Sequence, residues 1–292
     1  MRDRLPTEPA PVWPGGDRPM YGQDVLSAIG HAAGQVASVG GRIAVSTVQC
    51  ADATGPTGSR GSSTVSLYEA DRSLVTSRTF PEGVAVTALD GITVDGVDYL
   101  AVGLSTSGVR IVRADRAGLP DHHGVPADWR RHAAVTGDRE IVVAVRFGQS
   151  DEGQTILVSG ALTGDGAALV VTDVDDGHLL WGDNHLSNQP LRDRPTSIEV
   201  GRFGPAGVPT VSVAWSSGRL TLHDAARGTR PFIAEGQPDN PVVAQRFVLG
   251  ARGRRLLAVH RRVGAAMLAA GSGRRLVEVR PNRRNSQVLG AH

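Results

Sequence analysis

Every basic residue of this 292-residue chain is arginine, 31 of them against 29 acids, and 40% of its residues are apolar although only 4% are aromatic. That apolar share excludes a disordered polyelectrolyte, and a lone cysteine, Cys50, excludes an intramolecular disulfide framework. No apolar run nears the ~18 residues of a spanning helix, and Met1–Gly16 lacks the apolar stretch of an export signal, so a cytoplasmic location is expected.

In chain order, residues 1–23 hold five prolines and no apolar period, and are expected to form a flexible lead-in. Repeats follow over 24–281, and 282–292 reads as a basic tail. A short extended run recurs as Arg42–Ser46, Tyr99–Gly103, Thr155–Ser159, Thr210–Ala214 and Arg255–Val259. Aligning Val45, Val102, Val158, Val213 and Val259 gives a period near ~50 residues, the spacing of blades or solenoid units. Second strands are expected at Thr64–Tyr68, Val109–Val112, Leu169–Thr172 and Leu220–His223, with Leu276–Val279 in the fifth unit. Upstream strands carry Arg146-Phe147, Arg202-Phe203 and Arg246-Phe247, read as one repeat position. Glycine turns such as Asp95-Gly96 and Ser217-Gly218 separate the strands, since tight hairpins need positive φ. Valine is stiff at χ1 and favours extended backbone, while the Ala-rich 263–270 is the nearest approach to a helix. The expected fold is all-β: a β-propeller of about five antiparallel blades of three or four strands, with stacked neighbours burying each sheet. Five units close the ring alone, or residues 24–40 add an outer strand to the last.

Two segments carry a family likeness. Gly218–Gly228 resembles the end of a WD repeat, with His223-Asp224 where Trp-Asp would stand, and Leu169–Trp181 resembles a quinoprotein-type repeat. The resemblance, over roughly residues 28–281, implies a propeller that binds partners on a face.

Candidate chemistry is sparse. Asp173, Asp175, Asp176 and Asp183 suggest a hard-cation site, but Asp-Gly turns between strands explain them without a metal. Asp121-His122-His123 and His132 fall in the longest connection, where adjacent side chains point apart, so a solvated loop is expected. Nucleophile-elbow, phosphate-loop and dinucleotide motifs are absent, and the glycine- and serine-rich 55–63 reads as a hairpin loop. No cofactor and no metal are expected. Trp129-Arg130-Arg131 has the composition of a binding hot spot, or Trp129 covers one end of the core. From Pro241 onward there are 11 Arg against Glu278 alone, formally +10, while the preceding residues are net negative. Arg252, Arg254, Arg255, Arg261 and Arg262 flank the fifth core strand, and Arg280, Arg283 and Arg284 follow the last one. These form either a docking surface for nucleic acid, anionic lipid or an acidic protein, or an internal counter-charge. The reading is a non-catalytic scaffold that binds another protein. Its alternatives are an enzyme or cofactor-binding propeller with a site drawn from several blades, and a piece or partner of a multidomain signalling protein.

Overall fold

The structure, a computed structural model, describes residues 32–49, 62–105, 108–122, 141–150, 153–163, 166–183, 195–203, 206–229, 232–234, 242–250, 253–260, 264–268 and 275–279. Nineteen strands fill them, in five sheets. Blade 1 is β1 (Ala32–Val39), β2 (Arg42–Gln49), β3 (Ser62–Tyr68) and β4 (Leu74–Thr79). Blade 2 is β5 (Val86–Val94), β6 (Val97–Leu104) and β7 (Val109–Arg113). Blade 3 is β8 (Ile141–Gln149), β9 (Thr155–Thr163), β10 (Gly166–Asp173) and β11 (Leu179–Asp183). Blade 4 is β12 (Pro195–Phe203), β13 (Val208–Trp215), β14 (Leu220–Asp224) and β15 (Phe232–Ala234). Blade 5 is β16 (Val242–Gly250), β17 (Gly253–His260), β18 (Gly264–Leu268) and β19 (Arg275–Val279). Each is an antiparallel meander in chain order, and the first strands of successive blades pack on one another, so the fold is a β-propeller.

Local chemistry sets this pattern. Asp95 and Gly96, at φ 50° and 76°, close β5 onto β6 in two residues, as a turn matched to strand twist requires. Among the described residues blade 2 has three full strands. Beside the third, Asp121 bridges Val112, with Arg113 N–H donating to Pro120 O and His122 N–H to Ile111 O. The loop expected at Asp121-His122 is thus a rudimentary edge: the Asp121 carboxylate takes Arg78 of β4 at 2.7 Å, and the His122 ring meets Tyr99 edge-on.

Four apolar clusters lie between adjacent blades. Ala44, Val65 and Leu67 of blade 1 meet Leu100, Val102 and Val112 of blade 2. Ala101 and Ile111 then meet Phe147 and Leu157, Val158 and Val171 meet Val211 and Val213, and Ala214 and Leu222 meet Leu256 and Ala258. Every joint therefore sets one face of a blade on the opposite face of the next.

Each first strand also carries a β-bulge, near Ala33, Val86, Val142, Pro195 and Val242. A bulge adds one residue to one strand and shifts all later pairing. Counted from it, the place of Val102 is held by Ser159 in blade 3 and Ala258 in blade 5, so the valine alignment is one residue out there. Arg146-Phe147 and Arg246-Phe247 share a register place, whereas Arg202-Phe203 lies three residues further along and Glu199 stands where Arg146 does. In blade 5 the third strand is the Ala-rich β18, and Leu276–Val279 lies in the outermost β19. Residues 32–39 form the first strand of blade 1, not an outer strand of blade 5. Among the described residues no helix is long and apolar enough to cross a membrane.

Candidate functional site

The inner strands carry a row of alternating charge. In blades 2 to 5, two residues past the first pair beyond the bulge, stand Asp90 on β5, Arg146 on β8, Glu199 on β12 and Arg246 on β16. Arg146 reaches back to Asp90 Oδ1 at 3.0 Å and forward to Glu199 Oε2 at 2.9 Å, tying three blades with one side chain. A guanidinium suits this because its planar fork offers donors in two directions. Asp90 Oδ2 also accepts the Phe147 backbone N–H at 2.7 Å. Burial pushes the Asp90 carboxyl above its ordinary range, against the pull of Arg146 and that amide. Burial likewise raises Glu199, opposed by Arg146 and Arg246 and reinforced by the Asp90 charge. Desolvation outweighs pairing for both acids.

Hydroxyls and amides repeat the motif of reaching across a joint. Thr87, the bulged residue of β5, donates to Val142 O of blade 3. Thr196, its counterpart on β12, donates to Val242 O of blade 5 at 2.9 Å. Gln245 accepts from the Ser212 hydroxyl at 2.6 Å and donates to Ser197 O and Ser212 O.

A second polar cluster lies between blades 3 and 4. Trp215 Nε1–H donates to Thr221 Oγ1 at 2.9 Å, and the same oxygen lies 3.0 Å from His223 Nε2. The Thr221 hydroxyl also reaches Val213 O at 3.5 Å, and His223 Nδ1 faces Gly228 O at 3.5 Å. Trp181 of blade 3 stacks on the His223 ring at 5.5 Å and donates its own N–H to Ala225 O. Burial depresses the His223 pKa to about 4. The neighbouring Asp224 caps the turn, accepting from Ala226 and Arg227 N–H. Where a WD repeat has Trp-Asp, this chain has a neutral histidine wedged beneath the neighbouring blade's tryptophan.

The aspartate hairpin of blade 3 is turn chemistry. Asp173 Oδ1 accepts from Asp175 N–H at 2.6 Å and its other oxygen takes Gln154, while Asp176 accepts from His178 N–H at 3.0 Å. Ligand atoms of Asp173, Asp176 and His178 lie within 4.8 Å of one another, but each carboxylate already serves its own backbone.

Of the arginines singled out in the sequence, Arg255 is half-buried on β17 opposite Val248, and Arg254 stands on the same strand opposite Leu249. Arg252, Arg261, Arg262, Arg280, Arg283 and Arg284 lie outside the described residues, as do Trp129, Arg130, Arg131, His123 and His132. The row Asp90–Arg146–Glu199 escaped the sequence reading because opposite charges at one register place share no motif. A search keyed to the bulge would find it.

No protein-family model matches the chain, and no curated protein matches it. Solved structures do. The computationally designed Ika8 protein superposes at a TM-score of 0.51 with 15% identity, over 86% of this chain and 74% of that one. A chain of a Mitotic Checkpoint Complex superposes at 0.55, also with 15% identity, over 85% of this chain. The match spans 63% of that chain, less than two thirds of its length. At such identity the likeness is one of fold, and the fold is the propeller.

Proposed function

We propose that the chain is a non-catalytic propeller scaffold that binds another protein. The observation supporting this is the use to which its buried polar groups are put: Asp90, Arg146 and Glu199 are engaged with one another across three blades. His223, held neutral, is engaged with Thr221 and Trp181. These groups join blades, and function must be argued from a site. The arginine-rich end supplies the docking chemistry, with Arg280, Arg283 and Arg284 presenting forked donors to an acidic protein surface.

Affinity capture from extract of the source cells, at low and high salt, tests this reading. The expected result is a specific acidic partner that is lost at high salt. It is also lost when Arg280, Arg283 and Arg284 are replaced by Gln, with Tm unchanged, the outcome for charges that a partner rather than the fold engages, since a charge facing solvent adds only about 0–1 kcal/mol to folding. Folded protein that captures nothing specific overturns the scaffold. A clear fall in Tm with binding unchanged makes the arginines an internal counter-charge instead.

A further inference from the structure

The four joints leave two blade faces over. On blade 1 it is the face turned away from blade 2. Ile43 on that face is 45% exposed, whereas the residues at its place in the other blades, Leu100, Leu157, Val211 and Leu256, are all 0% exposed. The exposed part runs from Ile43 to Tyr68 opposite it and on to Leu74, itself 58% exposed, with Val36 on β1 61% exposed, while Val45 and Ser66 on the same face are buried. On blade 5 it is the face turned away from blade 4. Ala244 and Arg246 are exposed there, and Leu257 and Val259 are half-buried. The residues at the place of Leu257, which are Ala101, Val158 and Ser212, are 0% exposed. Among the described residues β16 does not pack on β1 as the other successive inner strands pack on each other.

We infer that these faces are the two halves of a fifth joint made between copies of this chain, blade 5 of one seated on blade 1 of the next. The two exposed faces are of opposite kind, one of the kind that leads each internal joint and one of the kind that receives it. A second copy supplies the missing half at either end with the apolar construction already used four times. Blade 1 against blade 1 would pair two receiving faces, so the contact is head-to-tail rather than two-fold.

Sedimentation velocity with light scattering, up to the highest soluble concentration, tests this on the full chain. The wild type is expected to self-associate. Ile43→Glu spoils only the receiving face and Leu257→Glu only the leading face, and each alone is expected to associate at least ~10-fold more weakly. Their equimolar mixture keeps one good face of each kind and is expected to form a dimer that grows no further. Should either glutamate variant unfold by circular dichroism, Ile43→Thr and Val259→Thr replace the pair. A wild type monomeric throughout, association indifferent to both variants, or a mixture that stays monomeric overturns the inference.

Discussion

His223 has a titration whose sign can be worked out in advance. Its pKa is about 4 in the folded chain against 6.5 when exposed, so between those values the unfolded chain takes up a proton the folded one refuses. Its contribution is complete above pH 6.5 and is lost as the pH falls toward 4, a change on the order of 3 kcal/mol. Asp90 and Glu199 work in the opposite direction: with raised folded-state values, their burial weighs against folding as the pH rises and is relieved in acid. The difference in Tm between wild type and His223→Phe, followed from pH 7 to 4, isolates the histidine and is expected to shrink on acidification. Two glycines offer a steric test at the same scale. A Cβ at Gly148 would strike Val200 of the next blade, and one at Gly201 would lie 2.5 Å from Phe247 Cδ2. Gly148→Ala and Gly201→Ala are each expected to cost about 1–3 kcal/mol by denaturant melts. Gly182→Ala, whose Cβ would meet nothing nearer than Leu169 O at 3.5 Å, is expected to change stability by less than about 0.5 kcal/mol.

At the scale of the strand, the bulge separates what could be read from the sequence from what could not. The five core runs showed because an apolar strand buried on both faces is a continuous run of Val, Leu and Ala, as in Tyr99–Gly103 within β6. The neighbouring inner strands read as equivalents through their Arg-Phe pairs, and that alignment failed in blade 4, where Glu199 rather than Arg202 aligns with Arg146. A one-residue insertion is invisible to periodicity yet moves every later side chain to the other face. The charge row gives this register a test. Arg146→Met leaves Asp90 and Glu199 buried without their shared partner, so a loss of roughly 2 kcal/mol is expected at neutral pH, below the value for a fully buried pair because Arg146 is partly exposed. The loss should narrow near pH 4, as the two carboxyls take up protons. The same register sets Leu157 in a joint and Ile43 on an open face. Leu157→Ala is expected to cost about 2–5 kcal/mol and Ile43→Ala under ~1, read from denaturant midpoints at constant m.

For the whole molecule, all-β architecture and repetition were legible because turn residues recur between short runs in every unit. Circular dichroism should be strand-dominated, and a helix content near a third, the globular average, would contradict the fold. The binding surface was less legible. Arg255 lies half-buried on β17, while most of the arginines singled out in the sequence lie outside the described residues, so the charge asymmetry speaks of an end of the chain rather than a geometry. One property of the sheets has a kinetic consequence. Among the described residues every strand pairs only with its neighbours in sequence, so none of these hydrogen-bonded ladders waits for a distant segment to arrive. Closing such short hairpins takes microseconds, whereas joints such as Asp90 to Arg146 must wait for the next blade. During synthesis at ~5–20 residues per second each meander can therefore form before its successor exists, and the chain matures as a series of dockings whose order is the order of translation.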